Sequence, residues 1–360
     1  MGYEIDFLAV GENSQSGDAI AFRFGNLEGT RNEQTVVIID GGFSESGEKL
    51  KELINTHYSG TNKVDLVISS HPDSDHSSGL KYILENMEVS ELWMHQPWNH
   101  TEDMANLFHD GRITDNSLSD RIKNSLETAY SLEQIAKDKN ITIKEPFTGL
   151  TDKSGNVRVL GPTKDYYENL LLDFRSTPES KASKEINILE KALILAKKIF
   201  ENWFEETLTD DGETSAENNS STIILFSINN NHTLFTADAG IPALEKAAEE
   251  LETLGVSYSD ITRIQVPHHG SKRNVGQTIL NRIIGPILSE NEEIKTAIVL
   301  SAKEGEPKHP SKIVLNAFKR RGVKVFRPIN GSHCASENAP KRDGYSPATP
   351  LPFYYEVEED

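Results

Sequence analysis

The 360-residue chain is acidic, with 56 Asp and Glu against 37 Lys and Arg and a formal net charge of −19, a balance that argues against a general binder of duplex DNA because phosphate contacts need cations. Its length allows one large domain or two medium ones with a substantial core. No apolar run reaches the ~20 residues of a membrane helix, the opening MGYEIDFLAV lacks the basic and apolar regions of a signal peptide, and the single cysteine, Cys334, excludes an internal disulfide framework and thiolate zinc knots; a cytoplasmic protein with no membrane association is expected.

In chain order, EIDFLAV (4–10), AIAFRF (19–24), TVVIID (35–40) and VDLVIS (64–69) read as strands. The last of these runs into HPDSDH, where His71, Asp73, Asp75 and His76 crowd the end of an apolar run. Four such groups are costly there unless something positive collects them; a solvated turn is the plainer alternative. Leu80, Ile83, Leu84 and Met87 recur at helical spacing and predict an amphipathic helix capped near Ser77 or Ser78. The four polar residues then lie on a strand-to-helix loop. SELWMHQPW (90–98) reads as a further strand and its exit.

Between about 100 and 215 helical patterns dominate, interrupted by a strand at NVRVLGP (156–162), and the stripe Leu189, Ala192, Leu193, Ala196, Ile199, Phe200, Trp203 and Phe204 predicts one long helix. The region reads as a helical insertion. TIILFSI (222–228) and HTLFTAD (232–238) predict a hairpin through Asn229-Asn230-Asn231, since Asn tolerates positive φ. A helix at 241–254, the strand ITRIQV (261–266) ending in PHHGS, a helix at 275–289, the strand TAIVLSA (296–302), a helix at 311–321 and the strand VKVFRP (323–328) follow. One domain over 1–335 is expected, with a loose, acidic, Pro-rich tail at 336–360.

From Thr262 to Arg327 there are thirteen Lys and Arg against five Asp and Glu, a local +8 that leaves −27 elsewhere. That split predicts one electropositive face on an acidic body; scattered solvated charge is the alternative.

Three strand ends finish in ligand-type residues: HPDSDH (71–76), TAD (236–238) and PHH (267–269). His71, Asp73, Asp75, His76, Asp238, His268 and His269 are the candidate ligands, because imidazoles and carboxylates suit Zn²⁺, Mn²⁺ and Fe. Taken alone, Asp238 also reads as a cap for the helix that follows, and spacing does not rank His268 against His269.

With these residues in place the sequence resembles the metallo-β-lactamase-fold hydrolases, and within them the hydrolase domain of the ComEC-like competence proteins, which have Asp where other members have the second His of H-x-H-x-D-H. The resemblance rests on FLAVG…SGDAIAFRF (7–24), IIDGG (38–42), HPDSDH, ENNSSTIILF (217–226), LFTADA (234–239), VPHHGSK (266–272) and HPSKIV (309–314). It implies an αββα sandwich of two mixed sheets flanked by helices and a pair of divalent ions, Mn²⁺ or Zn²⁺. One ion would be held by Asp75, His76 and a histidine of the 268–269 pair. The other would be held by His71 and Asp73, with Asp238 bridging, and Asp40 and Asn219 would stand behind the ligands. The third histidine that many relatives carry has no equivalent, the matching stretch offering only Asn218, Asn219 or Ser220. Fewer imidazoles shift preference toward harder ions such as Mn²⁺. His95 and His100 read as surface histidines or as substitutes for the missing imidazole.

The chemistry so implied is hydrolysis of a phosphodiester, most directly of DNA. Two divalent ions about 3.5–4 Å apart lower the pKa of a shared water and neutralise a phosphate oxygen. Asp75, Lys272 and His309 are the catalytic candidates, His309 as general acid because it titrates near neutrality. Ser271, Lys272, Arg273 and Lys303 are candidates to bind substrate. Hydrolysis of a small cyclic nucleotide is the alternative within the same chemistry, and a partner subunit without catalysis is the alternative outside it. The partners expected are a nucleic-acid or nucleotide phosphodiester and a protein partner or second copy of the chain.

Overall fold

The computed structural model describes residues 1–11, 15–102, 104–110, 112–178, 198–290, 292–300, 309–329 and 331–358. Alternation along the first strands sets the architecture. In β1 (Gly2–Leu8), β2 (Ala19–Gly25) and β3 (Gln34–Gly41), Ile5, Phe7, Ile20, Phe22, Phe24, Val37 and Ile39 pack into one core, and Leu8, Ala19, Ala21, Val36 and Ile38 into another. Successive side chains of a strand point to opposite faces, so this sheet is covered on both. The chain continues through α1 (Ser44–His57), β4 (Lys63–Ile68), α2 (Ser74–Asn86), β5 (Glu88–Trp93), α3 (Asp115–Ser125), α4 (Glu127–Asp138), β6 (Thr142–Lys144) and β7 (Val157–Gly161). Then come α5 (Lys164–Leu170), β8 (Lys198–Phe200), α6 (Ala216–Asn219), β9 (Ile223–Ile228), β10 (Asn231–Phe235), α7 (Ile241–Thr253) and β11 (Ile261–Gln265). The last elements are α8 (Gln277–Ile283), β12 (Lys295–Ile298), α9 (Lys312–Arg320), β13 (Val323–Phe326), β14 (Ser332–Glu337) and β15 (Glu356–Glu358).

Two mixed sheets result, ordered β14-β1-β2-β3-β4-β5-β6 and β13-β12-β11-β10-β9-β7. Pairing is parallel from β3 to β6 and from β10 to β13, and antiparallel elsewhere in both. They share an aromatic core in which the Phe22 ring lies 4.9 Å from Phe226 and 5.6 Å from Phe235, centroid to centroid. Helices α1 to α4 bury their apolar stripes on the outer face of the first sheet, and α7 to α9 on that of the second. This is the expected αββα class. The Asn hairpin is also as expected, with Asn229 (φ 49°) and Asn230 (φ 64°) left-handed between β9 and β10.

Several boundaries differ from the sequence reading. Helix α2 starts at Ser74 with Asp73 at its N-cap, so Asp75 and His76 sit on its first turn rather than in a loop. The stretch read as a helical insertion does hold α3, α4 and α5, yet β6 and β7 within it complete the edges of the two main sheets. Of the Leu189–Phe204 helix, residues 189–197 lie outside the described residues, and Lys198–Phe200 forms a strand paired with β15. The C-terminal segment is not loose. Arg342 reaches back to buried Asp6 (2.7 Å) and Glu4 (3.2 Å) on β1, Asn316 donates to Tyr354 O (2.7 Å), and Val357 is buried in the second core. Among the described residues no helix is long and apolar enough to cross a membrane.

Candidate metal centre

Parallel pairing of β3, β4 and β5 brings Asp40, near the end of β3, and the Ser69–Asp73 segment after β4 out at one end of the first sheet. In the second sheet β10 and β11 are likewise parallel, and Thr236–Asp238 and Val266–Gly270 follow them. The two ends meet, Thr222 N before β9 donating to Ser70 O (2.9 Å). Helix α2 is seated on β3 through two glycines: a methyl group on Gly79 would lie 2.0 Å from Gly41 O. Only a residue without a side chain allows that approach, and it presses the first turn of α2 against the strand end.

Four non-glycine residues here have a left-handed backbone: Asp40 (φ 55°), Ala237 (φ 45°), His268 (φ 45°, ψ 55°) and His269 (φ 56°, ψ 19°). Such conformations cost about 1–3 kcal/mol each and persist only where surroundings enforce them. Gln265 does so for the second sheet, its Oε1 accepting from Thr236 N and Ala237 N (3.1 Å each), while His268 N donates to Ala237 O (3.0 Å). The kinks turn consecutive histidines toward the same carboxylate.

Hydrogen bonding fixes the orientation of all four imidazoles. Ser70 N (2.8 Å), Ser70 Oγ (2.6 Å) and His76 Nδ1 (2.9 Å) all donate to the Asp40 carboxylate, which is fully buried. Because the Ser70 hydroxyl spends its proton on Asp40, its oxygen accepts from His71 Nδ1 (3.0 Å). Asn274 Nδ2 donates to Asp238 O (2.8 Å), leaving Asn274 Oδ1 to accept from His268 Nδ1 (2.8 Å). His269 Nδ1 donates to Leu300 O (2.8 Å). Every Nδ1 carries a committed proton, so every Nε2 is a ligand atom.

These Nε2 atoms converge on Asp238. Its Oδ1 lies 3.3 Å from His76 Nε2 and 3.8 Å from His269 Nε2, and Asp75 Oδ2 lies 3.9 and 3.5 Å from the same two nitrogens. Its Oδ2 lies 3.4 Å from His268 Nε2 and 3.8 Å from His71 Nε2, and Asp73 Oδ2 is 4.0 Å from His71 Nε2. Two sets of donors therefore share one carboxylate. The Nε2 atoms of His71, His76 and His269 and the Oδ1 of Asp238 are buried with no hydrogen-bond partner. Four ligands at ~2.1 Å from one tetrahedral ion stand roughly 3.4 Å apart, so the spacing and the unpartnered atoms both fit a divalent cation.

The electrostatics agree. Asp18, Asp40, Asp73, Asp75 and Asp238 crowd around these rings. Burial raises the Asp75 pKa, but His76 and His269 outweigh it and lower it to about 2. Asp238 is likewise held well below the usual range against burial by His268, His76 and His269. Burial disfavours charge on His76 and His269, yet Asp238 with Asp18 and Asp75 pushes both well above the ordinary imidazole range. Protonated rings thus stand in for positive charge that a cation would supply.

Of the ligand candidates, all seven lie at this centre, and the 268–269 pair is divided, His269 facing Asp75 and His268 the His71 side. Asp238 does not cap α7, whose N-cap is Gly240 with no side-chain bond. His309 stacks on His268, centroids 5.7 Å apart. Lys272 is half-buried, burial holding its pKa down against Glu358, and Arg273 is exposed beside it. Ser271 is buried and its Oγ accepts from Arg273 N (3.3 Å). Lys303 lies outside the described residues. Asn219 is buried with Oδ1 unpartnered, whereas Asn218 is the one near a ring, 3.2 Å from His268 Nδ1.

His95 and His100 are neither surface residues nor part of the centre. His95 stacks on Tyr167 at 4.3 Å, and burial, with His100 nearby, lowers its pKa to about 3. His100 is bracketed by Glu145 and Glu168 at 2.9 Å each, which raise its pKa against burial.

Part of the basic segment is engaged internally. Arg320 and Arg321 are buried against Glu201 (3.2 Å) and Glu206 (2.6 Å), Arg282 pairs with Glu252 (2.7 Å) and Lys324 with Glu293 (2.9 Å). Lys295 is buried, donating to Tyr258 O and Ile261 O (2.8 Å each). Residues the sequence reading left without a role include Asp18, whose Oδ1 is 3.4 Å from His269 Nδ1 and whose Oδ2 accepts from Gln265, and the orienting Ser70 and Asn274. Arg175, 2.8 Å from Asp73, is another. Asp18 stands within the quoted SGDAIAF; the others carry no local signal.

Comparison with known proteins gives one sequence match: residues 30–140 match the family described as the metallo-beta-lactamase superfamily. No curated protein matches. Similar solved structures include a metallo-β-lactamase-like protein of Thermotoga maritima (10% identity, 71% of this chain and 93% of that one, TM-score 0.36). An archaeal superfamily protein of Sulfolobus tokodaii (14%, 80% and 87%, 0.32) and the β-hydroxylase CmlA (11%, 92% and 53%, 0.39) are two more. The matched segment holds Asp40 and the whole His71–His76 motif, so the part of the chain that is similar to that superfamily is the part that carries four of the seven candidate ligands.

Proposed function

We propose that the chain is a metal-dependent phosphodiester hydrolase, a nuclease of the ComEC-like kind acting on DNA. One observation carries the metal-dependent part: the buried, unpartnered Nε2 atoms of His71, His76 and His269 converge with Asp238 Oδ1, and every opposite Nδ1 is committed. Asp75, His76, His269 and Asp238 Oδ1 would hold one cation, and His71, His268, Asp73 and Asp238 Oδ2 a second. Bound there, divalent cations supply Lewis-acid charge and a water of lowered pKa. Asp40, Ser70 and Asn274 keep the rings in the tautomer that presents Nε2. In this reading His309, whose ring stacks on that of His268, gives a proton to a leaving oxygen. Lys272 and Arg273, which follow the His268-His269 turn in sequence, attract an anionic substrate in this reading.

A second reading, hydrolysis of a small or cyclic nucleotide, is favoured by the internal pairing of Arg282, Arg320, Arg321 and Lys324, which spends part of the basic segment's charge away from substrate. The test is a panel of DNA, RNA and cyclic nucleotides with Mn²⁺, Zn²⁺ or Mg²⁺, beside Asp75→Ala and His76→Ala. Cleavage that both variants retain overturns the assignment. Salt separates the two readings: binding of a polymer weakens steeply with salt, and binding of a small ligand only shallowly.

A further inference from the structure

Arg175 follows α5, far in sequence from every ligand candidate, yet it reaches the edge of the centre. Its Nη2 donates to both oxygens of Asp73 (2.8 and 3.1 Å). Glu217, itself buried, fixes the other side of the residue: Glu217 Oε1 accepts from Arg175 N (2.6 Å) and lies 3.1 Å from Nε. The guanidinium is thus held on Asp73 from two directions. The two donor sets are unequal as a result. Among the described residues Asp75, His76, His269 and Asp238 Oδ1 have no arginine among their partners, whereas the set containing His71 and His268 depends on a carboxylate already paired with Arg175.

We propose that Arg175 competes with the second divalent cation for Asp73, so that the two positions fill in order, the Asp75 side first. This rests on the reading that the centre binds divalent cations. A guanidinium cannot lose its charge at neutral pH; a cation drawing on Asp73 must therefore displace it or share the carboxylate with it. With the Arg175 side chain 66% exposed, the pair itself accounts for no more than a few-fold in affinity. Removing a positive charge from beside a dication adds to that, giving roughly ten-fold in all.

The experiment is calorimetric titration of the metal-free full chain with zinc alone, for wild type, Arg175→Met and Arg175→Lys. Expected are a tight first step unchanged within about two-fold, a weaker second step in wild type, and a second step tightened roughly ten-fold in Arg175→Met and less in Arg175→Lys. Appearance of a second equivalent only in Arg175→Met supports the proposal equally. A second step in Arg175→Met that matches wild type or is weaker overturns the proposal and leaves the cation centre standing. Zinc binding by none of the three proteins overturns both. Should Arg175→Met fail to melt as a folded protein, the Arg175→Lys comparison decides on the same criterion.

Discussion

Asp40 stands behind the centre, and replacing it with Asn tests how the rings are set. The carboxylate accepts three hydrogen bonds, from Ser70 N, Ser70 Oγ and His76 Nδ1, at 2.8, 2.6 and 2.9 Å. Asparagine keeps one acceptor oxygen and brings a donor. With the amide nitrogen in the place of Oδ1 it meets Ser70 N; in the place of Oδ2 it meets Ser70 Oγ and His76 Nδ1, and there the ring relieves the clash by moving its proton to Nε2. That nitrogen faces Asp238 Oδ1 at 3.3 Å, where a cation needs a lone pair. Loss of such an orienting partner costs about 10–100-fold in metal affinity, or about 1.4–2.7 kcal/mol. Competition against a chromophoric chelator measures it directly. Folded Asp40→Asn that binds zinc within about two-fold of wild type would refute the reasoning, because the tautomer would then be set by something other than Asp40.

Metal-free protein should be most stable, as far as these groups govern it, between the ordinary carboxylate and imidazole pKa values of 3.8 and 6.5. His76 and His269 are raised, so their contribution is complete below 6.5 and lost as pH climbs through the folded values; Asp75 and Asp238 are lowered, so theirs is present above 3.8 and lost as pH falls, for Asp75 toward about 2. Melting temperature of the metal-free chain should fall as pH rises above 6.5, and saturating zinc should abolish that fall; a flat profile without metal contradicts the assignment. Phe22→Ala, which empties the centre of the inter-sheet core, should cost about 3–5 kcal/mol in urea unfolding. Glu201→Ala leaves Arg320 buried without its carboxylate and should cost about 3–5 kcal/mol by the same measurement, whereas Asp110→Ala, at an exposed pair, should leave the midpoint unmoved.

What the sequence disclosed follows the range of the interactions involved. Strands β1 to β4 and the β9–β10 hairpin were legible because β-branched runs and the Asn229-Asn230 turn act over a few residues. The seven ligand candidates were legible for a similar reason, since each strand end is a short string of ligand types. Strand β14 was not, because SHCASE is polar and takes its place only by pairing with β1. How much of the basic segment's charge is spent internally was hidden, because charge balance is settled in three dimensions: Glu201 and Glu206, more than a hundred residues away in sequence, neutralise Arg320 and Arg321. Division of the histidine pair was equally hidden, since adjacent side chains separate only through two consecutive left-handed residues. Arg175 gave no signal at all, its role existing only where it meets Asp73.

Nitrogen-15 NMR of the imidazole rings during titration with zinc addresses the centre atom by atom, because protonated, free and metal-bound nitrogens have distinct shifts. The account predicts that the Nε2 resonances of His71, His76, His268 and His269 move to metal-bound positions while each Nδ1 remains N–H. Nε2 shifts that stay at their metal-free positions in stoichiometric zinc would contradict it.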